Sequence, residues 1–274
     1  MGELKLKKTG VKSTICLFIA SLILGSFLVS EVYAITNGNP DGDEHPYVGL
    51  IVFFIEVDEE LKAAWTCTGS LISPTVMVCA GHCTTNGVVA AGIYLSPGPL
   101  TPLDPFDHFT TDIYTHPFYA CFVSPTMKDW ISHDVGVIIL PEPVILSEYA
   151  ELPDAEAIDD LPMKQDVDLV GYGFQERMRG GGQPVWVGQG TRMYASAQLI
   201  NNKNAMSDEF VRITQNPGQG KGGTTFGDSG GPVLLAGTNT MIAVCSWGTN
   251  YNSAGVGYYS RLDKLDILQW IEDF

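Results

Sequence analysis

The chain has 274 residues, 45% of them apolar, with 30 glycines, 16 prolines and a formal net charge of −16. That is enough apolar material for one domain of two packed halves or for two small domains, and the turn-forming residues favour a β-rich fold over a helical one. The acidity opposes binding to nucleic acid or to an anionic membrane by simple repulsion.

Residues 1–34 read as a targeting segment. Lys5, Lys7, Lys8 and Lys12 form a basic start, an uncharged and largely apolar run extends from Ser13 to Ser30, and Val32-Tyr33-Ala34 supplies small residues where a signal peptidase reads. This is the pattern of a secretory signal peptide, which leaves 35–274 as the folded domain and no membrane attachment after cleavage. An uncleaved anchor is the rival. The run is slightly short of the ~20 residues a span needs, and a cleavage site follows it.

From Ile35 onward, short apolar or alternating runs recur between turn clusters: Tyr47–Glu56, Ser70–Val78, Val135–Leu140, Val167–Tyr172, Pro232–Leu235 and Met241–Ser246. Many short strands punctuated by Gly, Pro, Asn and Asp predict an all-β protein. A Pro-rich, acidic connection near 142–162 divides the chain into comparable halves. The end differs: Leu262, Leu265, Leu268, Trp270 and Ile271 recur at the spacing of an amphipathic helix, expected over 263–274.

Beyond the targeting segment the cysteines are Cys67, Cys79, Cys83, Cys121 and Cys245. An exported protein can form disulfides, and an odd number leaves at least one thiol free or paired between chains. No C-x-x-C pair and no EF-hand loop is present, so neither a metal nor another cofactor is expected.

Three segments carry chemistry. The first is Cys67-Thr68-Gly69-Ser70-Leu71-Ile72 leading into Ala80-Gly81-His82-Cys83, the second His133-Asp134-Val135-Gly136-Val137-Ile138-Ile139-Leu140, and the third Gly227-Asp228-Ser229-Gly230-Gly231-Pro232. A serine hydroxyl is a poor nucleophile without a base in reach, and the base needs a partner that fixes its tautomer. Alone, each segment reads more simply as a surface histidine, a turn aspartate or a glycine turn. Together, in the order His, Asp, Ser, the set resembles the chymotrypsin/trypsin-like serine protease family.

That resemblance covers 35–274 apart from loops near 95–130 and 175–225. It implies two packed six-stranded β-barrels with a C-terminal α-helix, the catalytic groups lying between the barrels. It implies His82 as base, Asp134 as its orienting acid and Ser229 as nucleophile, with the backbone N–H groups of Gly227 and Ser229 as oxyanion hole. Asp129 is the nearest rival acid, but no apolar strand follows it directly. His116, in Tyr114-Thr115-His116-Pro117, resembles a structural family loop. The resemblance further implies a Cys67–Cys83 disulfide, and an activation pair in which Ile35, freed as an N-terminus by cleavage after Ala34, meets Asp228. Ser246, Trp247 and Gly248 resemble the edge on which substrate is held, Ser246 also supporting Asp134. Gly223 falls at the base of the primary pocket and Gly257 at its wall. With no carboxylate at Gly223, the pocket is expected to be deep and apolar and to take large apolar or aromatic side chains.

Some positions depart from the pattern. Cys79-Ala80-Gly81-His82-Cys83 stands where Thr-Ala-Ala-His-Cys is usual; Gly81 keeps the N–H expected to face the aspartate. Thr225 stands at a usual cysteine position, so the bridge beside the pocket is missing. The implied function is a secreted serine endopeptidase acting on protein or peptide substrates. Protein inhibitors are its further implied partners, and a monomer is favoured. The alternative is a protease-fold binding protein with little activity. An esterase on another fold is disfavoured by the order His, Asp, Ser.

Overall fold

The computed structural model describes residue 35 and residues 38–122, 130–178, 185–201, 208–215, 221–248 and 255–274. Residues 1–34, read from sequence as a targeting segment, together with Thr36, Asn37 and Asp129, lie outside the described residues.

The strands, in chain order, are β1 (Asn39–Pro40), β2 (Val48–Val57), β3 (Glu60–Leu71), β4 (Val76–Cys79), β5 (Val88–Tyr94), β6 (His108–Thr110), β7 (Ile113–Thr115), β8 (Ala120–Phe122), β9 (Trp130–Ser132) and β10 (Gly136–Ile139). The second half contributes β11 (Asp166–Gly171), β12 (Glu176–Met178), β13 (Val185–Val187), β14 (Met193–Asn201), β15 (Phe210–Gln215), β16 (Pro232–Leu235), β17 (Met241–Gly248) and β18 (Gly255–Arg261). Helix α1 (Leu265–Glu272) follows, burying Ile267, Leu268 and Ile271.

The first sheet runs β6-β5-β2-β3-β4-β10-β7. Its two ends, β6 and β7, are pieces of one segment interrupted at Thr111 and Asp112. β6 pairs with β5 and β7 with β10, so six segments close into a barrel. The break is bridged: Thr110 Oγ1 donates to the Ile139 carbonyl at 2.8 Å, and Ile139 N–H to the Asp112 carbonyl at 2.9 Å. The second sheet runs β1-β14-β11-β16-β17-β18-β15, and β14 also pairs with β15. Six strands close again, with β1 added outside β14. The expected architecture of two six-stranded barrels and a terminal helix is the observed one.

On one face β2 buries Ile51 and Phe53 and β5 buries their partners Ile93 and Ala91, as β-branched and aromatic residues on a pleated surface favour. Each large apolar side chain so buried contributes about 1.5–3 kcal/mol. One apolar cluster fills the first barrel and continues through Val170, Tyr172, Leu234 and Val244 to α1, and a second fills the other barrel around Val167, Leu169, Ala197, Val211 and Val233. One expectation was too long. Ser70–Val78 splits into the ends of β3 and β4, because Pro74 lacks an N–H and Ser73 Oγ accepts the N–H of Val76 at 3.1 Å, turning the chain.

Candidate active site

His82 lies in a one-turn 3-10 segment, Gly81–Cys83, directly after β4. The turn is tethered to β3 by the expected disulfide, Cys67–Cys83, with Cα atoms 6.5 Å apart, while Cys79, Cys121 and Cys245 are free thiols. Cys67, His82 and Cys83 place possible ligand atoms within 4.8 Å of one another. With both sulfurs in the disulfide, the cluster offers no thiolate pair to a metal.

Asp134 occupies the corner between β9 and β10 and is fully buried. Its carboxylate accepts four hydrogen bonds from two residues, His82 and Ser246. His82 Nδ1 lies 2.9 Å from Oδ2 and 3.2 Å from Oδ1, the His82 backbone N–H donates to Oδ1 at 2.7 Å, and Ser246 Oγ donates to Oδ2. The backbone donor is therefore His82 itself and not Gly81, as the sequence suggested. What Gly81 provides is space, since a Cβ there would sit 3.0 Å from both the N and the O of Val135. Burial alone would push the Asp134 carboxyl up, but the charge and hydrogen bonds of His82 and the Ser246 hydroxyl outweigh it and hold it below the usual range. Burial would likewise lower His82, and the Asp134 charge and hydrogen bond reverse this and raise it above the ordinary 6.5. The outer edge of the ring stays open, its side chain 30% exposed.

Ser229 lies in the loop before β16, which β3 of the other barrel holds in place. Thr68 N–H donates to the Ser229 carbonyl at 2.8 Å, and Thr68 Oγ1 donates to the Gly227 carbonyl at 2.9 Å while accepting from Tyr172 N–H at 3.1 Å. Gly230, at φ +81°, lies so close to β3 that a Cβ would come within 2.4 Å of the Thr68 carbonyl. Gly227 takes φ +99°. Among the described residues, neither the Gly227 nor the Ser229 N–H has an acceptor, and no hydrogen bond joins His82 Nε2 to Ser229 Oγ. The loop also spells G-x-S-x-G, but a strand follows it and not a helix, so it is not a strand-to-helix elbow.

A family model described as Trypsin matches residues 42–271. The chain belongs to the trypsin family. Serine protease 1 of Drosophila melanogaster is 25% identical over 251 residues, covering 87% of this chain and 84% of that one. Serine protease SP24D of Anopheles gambiae is 27% identical, with 76% and 72% covered, and a trypsin of Saccharopolyspora erythraea is 27% identical, with 72% and 82% covered. The solved structure of HL collagenase has a TM-score of 0.64 at 21% identity, covering 87% of this chain and 97% of that one, and shares the fold.

Asp228 is fully buried; it accepts Gly173 N–H at 2.7 Å on Oδ1, and Thr225 N–H at 2.7 Å and Thr225 Oγ1 at 3.2 Å on Oδ2. Thr225 thus engages the acid from the position where a cysteine is usual. No cation among the described residues pairs with Asp228, and burial pushes its carboxyl up to about 6 against those donors. Ile35 is fully buried, at φ +48°, among the apolar residues of the second barrel.

Gly223 is buried, Gly248 is open on its Cβ side, and Trp247 stacks on Tyr258 with centroids 4.0 Å apart. Gly257 departs from the expectation. A Cβ there would lie 2.6 Å from Gln215 Nε2 and 2.8 Å from Tyr259 OH. The small residue makes room for the protein's own polar groups and not for added depth. Gln215 Nε2 donates to Thr224 Oγ1 at 2.7 Å and to Tyr259 OH at 3.0 Å, a neutral polar cluster. Sequence reasoning gave no role to Thr68, although it lies within the Cys67–Ile72 segment, and missed Gln215 and Tyr259, which stand in β15 and β18 with no motif of their own.

Proposed function

We propose that the chain is a secreted serine endopeptidase, exported by cleavage after Ala34, that hydrolyses protein or peptide substrates through an acyl-enzyme on Ser229. The observation that carries this reading is a buried carboxylate fixed on His82 Nδ1, next to a loop with two unspent backbone N–H groups. Unpaired N–H groups on a tightly held loop are costly unless a ligand oxygen takes them.

His82, its Nδ1–H held by Asp134, presents the lone pair of Nε2. As Ser229 Oγ attacks the scissile carbonyl carbon, Nε2 takes the hydroxyl proton, and Asp134 stabilises the imidazolium. The carbonyl oxygen gains charge and accepts from Gly227 and Ser229 N–H; one such donor is worth about 10²–10³ in kcat. The C–N bond breaks, the amine leaves with the proton from Nε2, and water repeats the sequence on the acyl ester. Apo geometry is commonly loose at the nucleophile and tightens with substrate.

Trp247 and Gly248 would hold the substrate chain as an added strand. Gly223, Gln215, Thr224 and Tyr259 bring no charge to the pocket. A buried substrate Lys or Arg would therefore lack a counter-ion, and cleavage after large apolar or aromatic residues follows. Asp228 would take the ammonium of Ile35 once cleavage after Ala34 frees it. Ser229→Ala is expected to lower turnover by roughly four to six orders of magnitude, with the thermal midpoint unchanged. Fluorophosphonate should label the wild type and not the variant. Equal peptidase activity in both purified proteins would overturn the reading.

A further inference from the structure

The residue before Asp134 is held by three elements at once. His133 adopts φ +47°, a left-handed conformation that glycine enters more readily and that histidine enters more often than most other side chains. Its carbonyl accepts Val135 N–H at 2.7 Å, a tight turn centred on Asp134. Its own N–H donates to Glu209 Oε2 at 2.9 Å, on the segment entering β15 of the second barrel. Ring atom Nε2 lies 2.9 Å from Asp266 Oδ2 in the first turn of α1, and Nδ1 faces Glu209 Oε1 at 3.7 Å. The ring stacks on buried His116, with centroids 4.8 Å apart and planes 12° from parallel, and the edge of Phe118 closes another side. His116 is itself pinned: its N–H donates to the Val135 carbonyl at 3.0 Å and its ring meets Trp270 of α1.

Neighbouring residues thus face opposite ways. The Asp134 carboxylate is spent on His82 and Ser246, whereas His133 spends its backbone N–H on Glu209 and its ring Nε2 on Asp266, and its buried Nδ1 has no hydrogen-bond partner among the described residues. Neither Glu209 nor Asp266 touches the His82–Asp134 pair, so their contacts with His133 serve the corner and not the chemistry directly. We propose that His133 is a positioning residue, a latch by which the second barrel and the C-terminal helix hold the Asp134 corner in the geometry that orients His82. The proposal rests on the reading of His82, Asp134 and Ser229 as a catalytic triad.

His133→Gly keeps the left-handed turn and removes the ring. His133→Asn keeps a polar side chain tolerant of that turn, and Asp266→Ala removes the helix partner alone. The measurements are kcat and KM on a peptide the wild type cleaves, the rate of fluorophosphonate inactivation, the low-field proton NMR signal of His82 Nδ1–H, and the thermal midpoint. His133→Gly is expected to lower kcat and the inactivation rate about 10- to 100-fold, with KM within about twofold, and to shift or broaden the low-field signal. His133→Asn should recover part of the loss, and Asp266→Ala should lose less than His133→Gly. A His133→Gly protein with unchanged kcat and unchanged signal, and only a lower thermal midpoint, overturns the proposal. If wild type and Ser229→Ala are equally inert to fluorophosphonate, the triad reading falls instead. The His82 signal then decides the latch alone, and an unmoved signal in His133→Gly counts against it.

Discussion

Asp228 carries a carboxylate with three protein donors and, among the described residues, no cation, in a chain where Ile35 is still joined to the residues before it. Its folded value of about 6 stands above the ordinary 3.8, so the folded chain holds that proton more tightly than the unfolded one. Stability from this group is complete below about pH 4 and is lost as pH rises through about 6, a change of about 3 kcal/mol. Denaturant titrations of the 274-residue chain between pH 4 and pH 7 should show this decline. A chain beginning at Ile35, whose ammonium can pair with Asp228, should not. Equal pH slopes for the two would remove the proposed pair. His82 works the other way, on activity: it acts as base only when neutral, and Asp134 raises it. The acid limb of the kcat/KM profile should therefore lie above 6.5, the ordinary histidine value. The proposed triad was legible in the sequence because each member carries its own flanking residues. His133, Thr68 and Gln215 were not, since their partners Glu209, Asp266, Gly227 and Tyr259 are distant in sequence and only barrel closure brings them near.

At the scale of elements, β1 and β14 are joined less by their two-residue ladder than by a buried ion pair. Arg192, just before β14, donates from Nε to Asp41 Oδ2 at 2.7 Å and from its other nitrogens to the carbonyls of Gly42, Val48 and Leu95. Burial would raise Asp41, but hydrogen bonds and charge from His45 and Arg192 hold its carboxyl below the usual range. Such a pair is strongly destabilising to break, because removing the guanidinium leaves the Asp41 carboxylate buried with only His45 beside it. Arg192→Ala is expected to cost about 3–5 kcal/mol in chemical denaturation. A loss under about 1 kcal/mol would mean that water replaces the guanidinium. Strand boundaries were legible where a run ended at a turn cluster, as Pro232–Leu235 did before Gly237-Thr238-Asn239. They were not legible where a run continued through a turn, as at Ser73 and Pro74, or where a strand was interrupted, as at Thr111 and Asp112. In both places side-chain hydroxyls replace ladder bonds, and apolar periodicity does not report that exchange.

For the molecule as a whole, the formal charge of −18 on residues 35–274 surrounds a proposed site whose described pocket residues are neutral. Long-range repulsion should then govern encounter while the pocket governs fit. With otherwise matched peptides, raising salt should increase kcat/KM for an acidic peptide and decrease it for a basic one, each converging as screening shortens to about 8 Å near physiological ionic strength. Salt-independent rates for both would assign the charge to solubility alone.

The disulfide has a further consequence. Cys67 is the residue before Thr68, and Thr68 holds the carbonyls of both Gly227 and Ser229 across the seam between barrels. The cross-link that tethers the histidine turn is thus one peptide unit from the clamp on the serine loop. Production in a thiol-rich bacterial cytosol would yield a chain of correct mass and near-correct circular dichroism in which the proposed base and nucleophile are both slack. A negative activity screen from such a preparation would measure the expression host and not the enzyme.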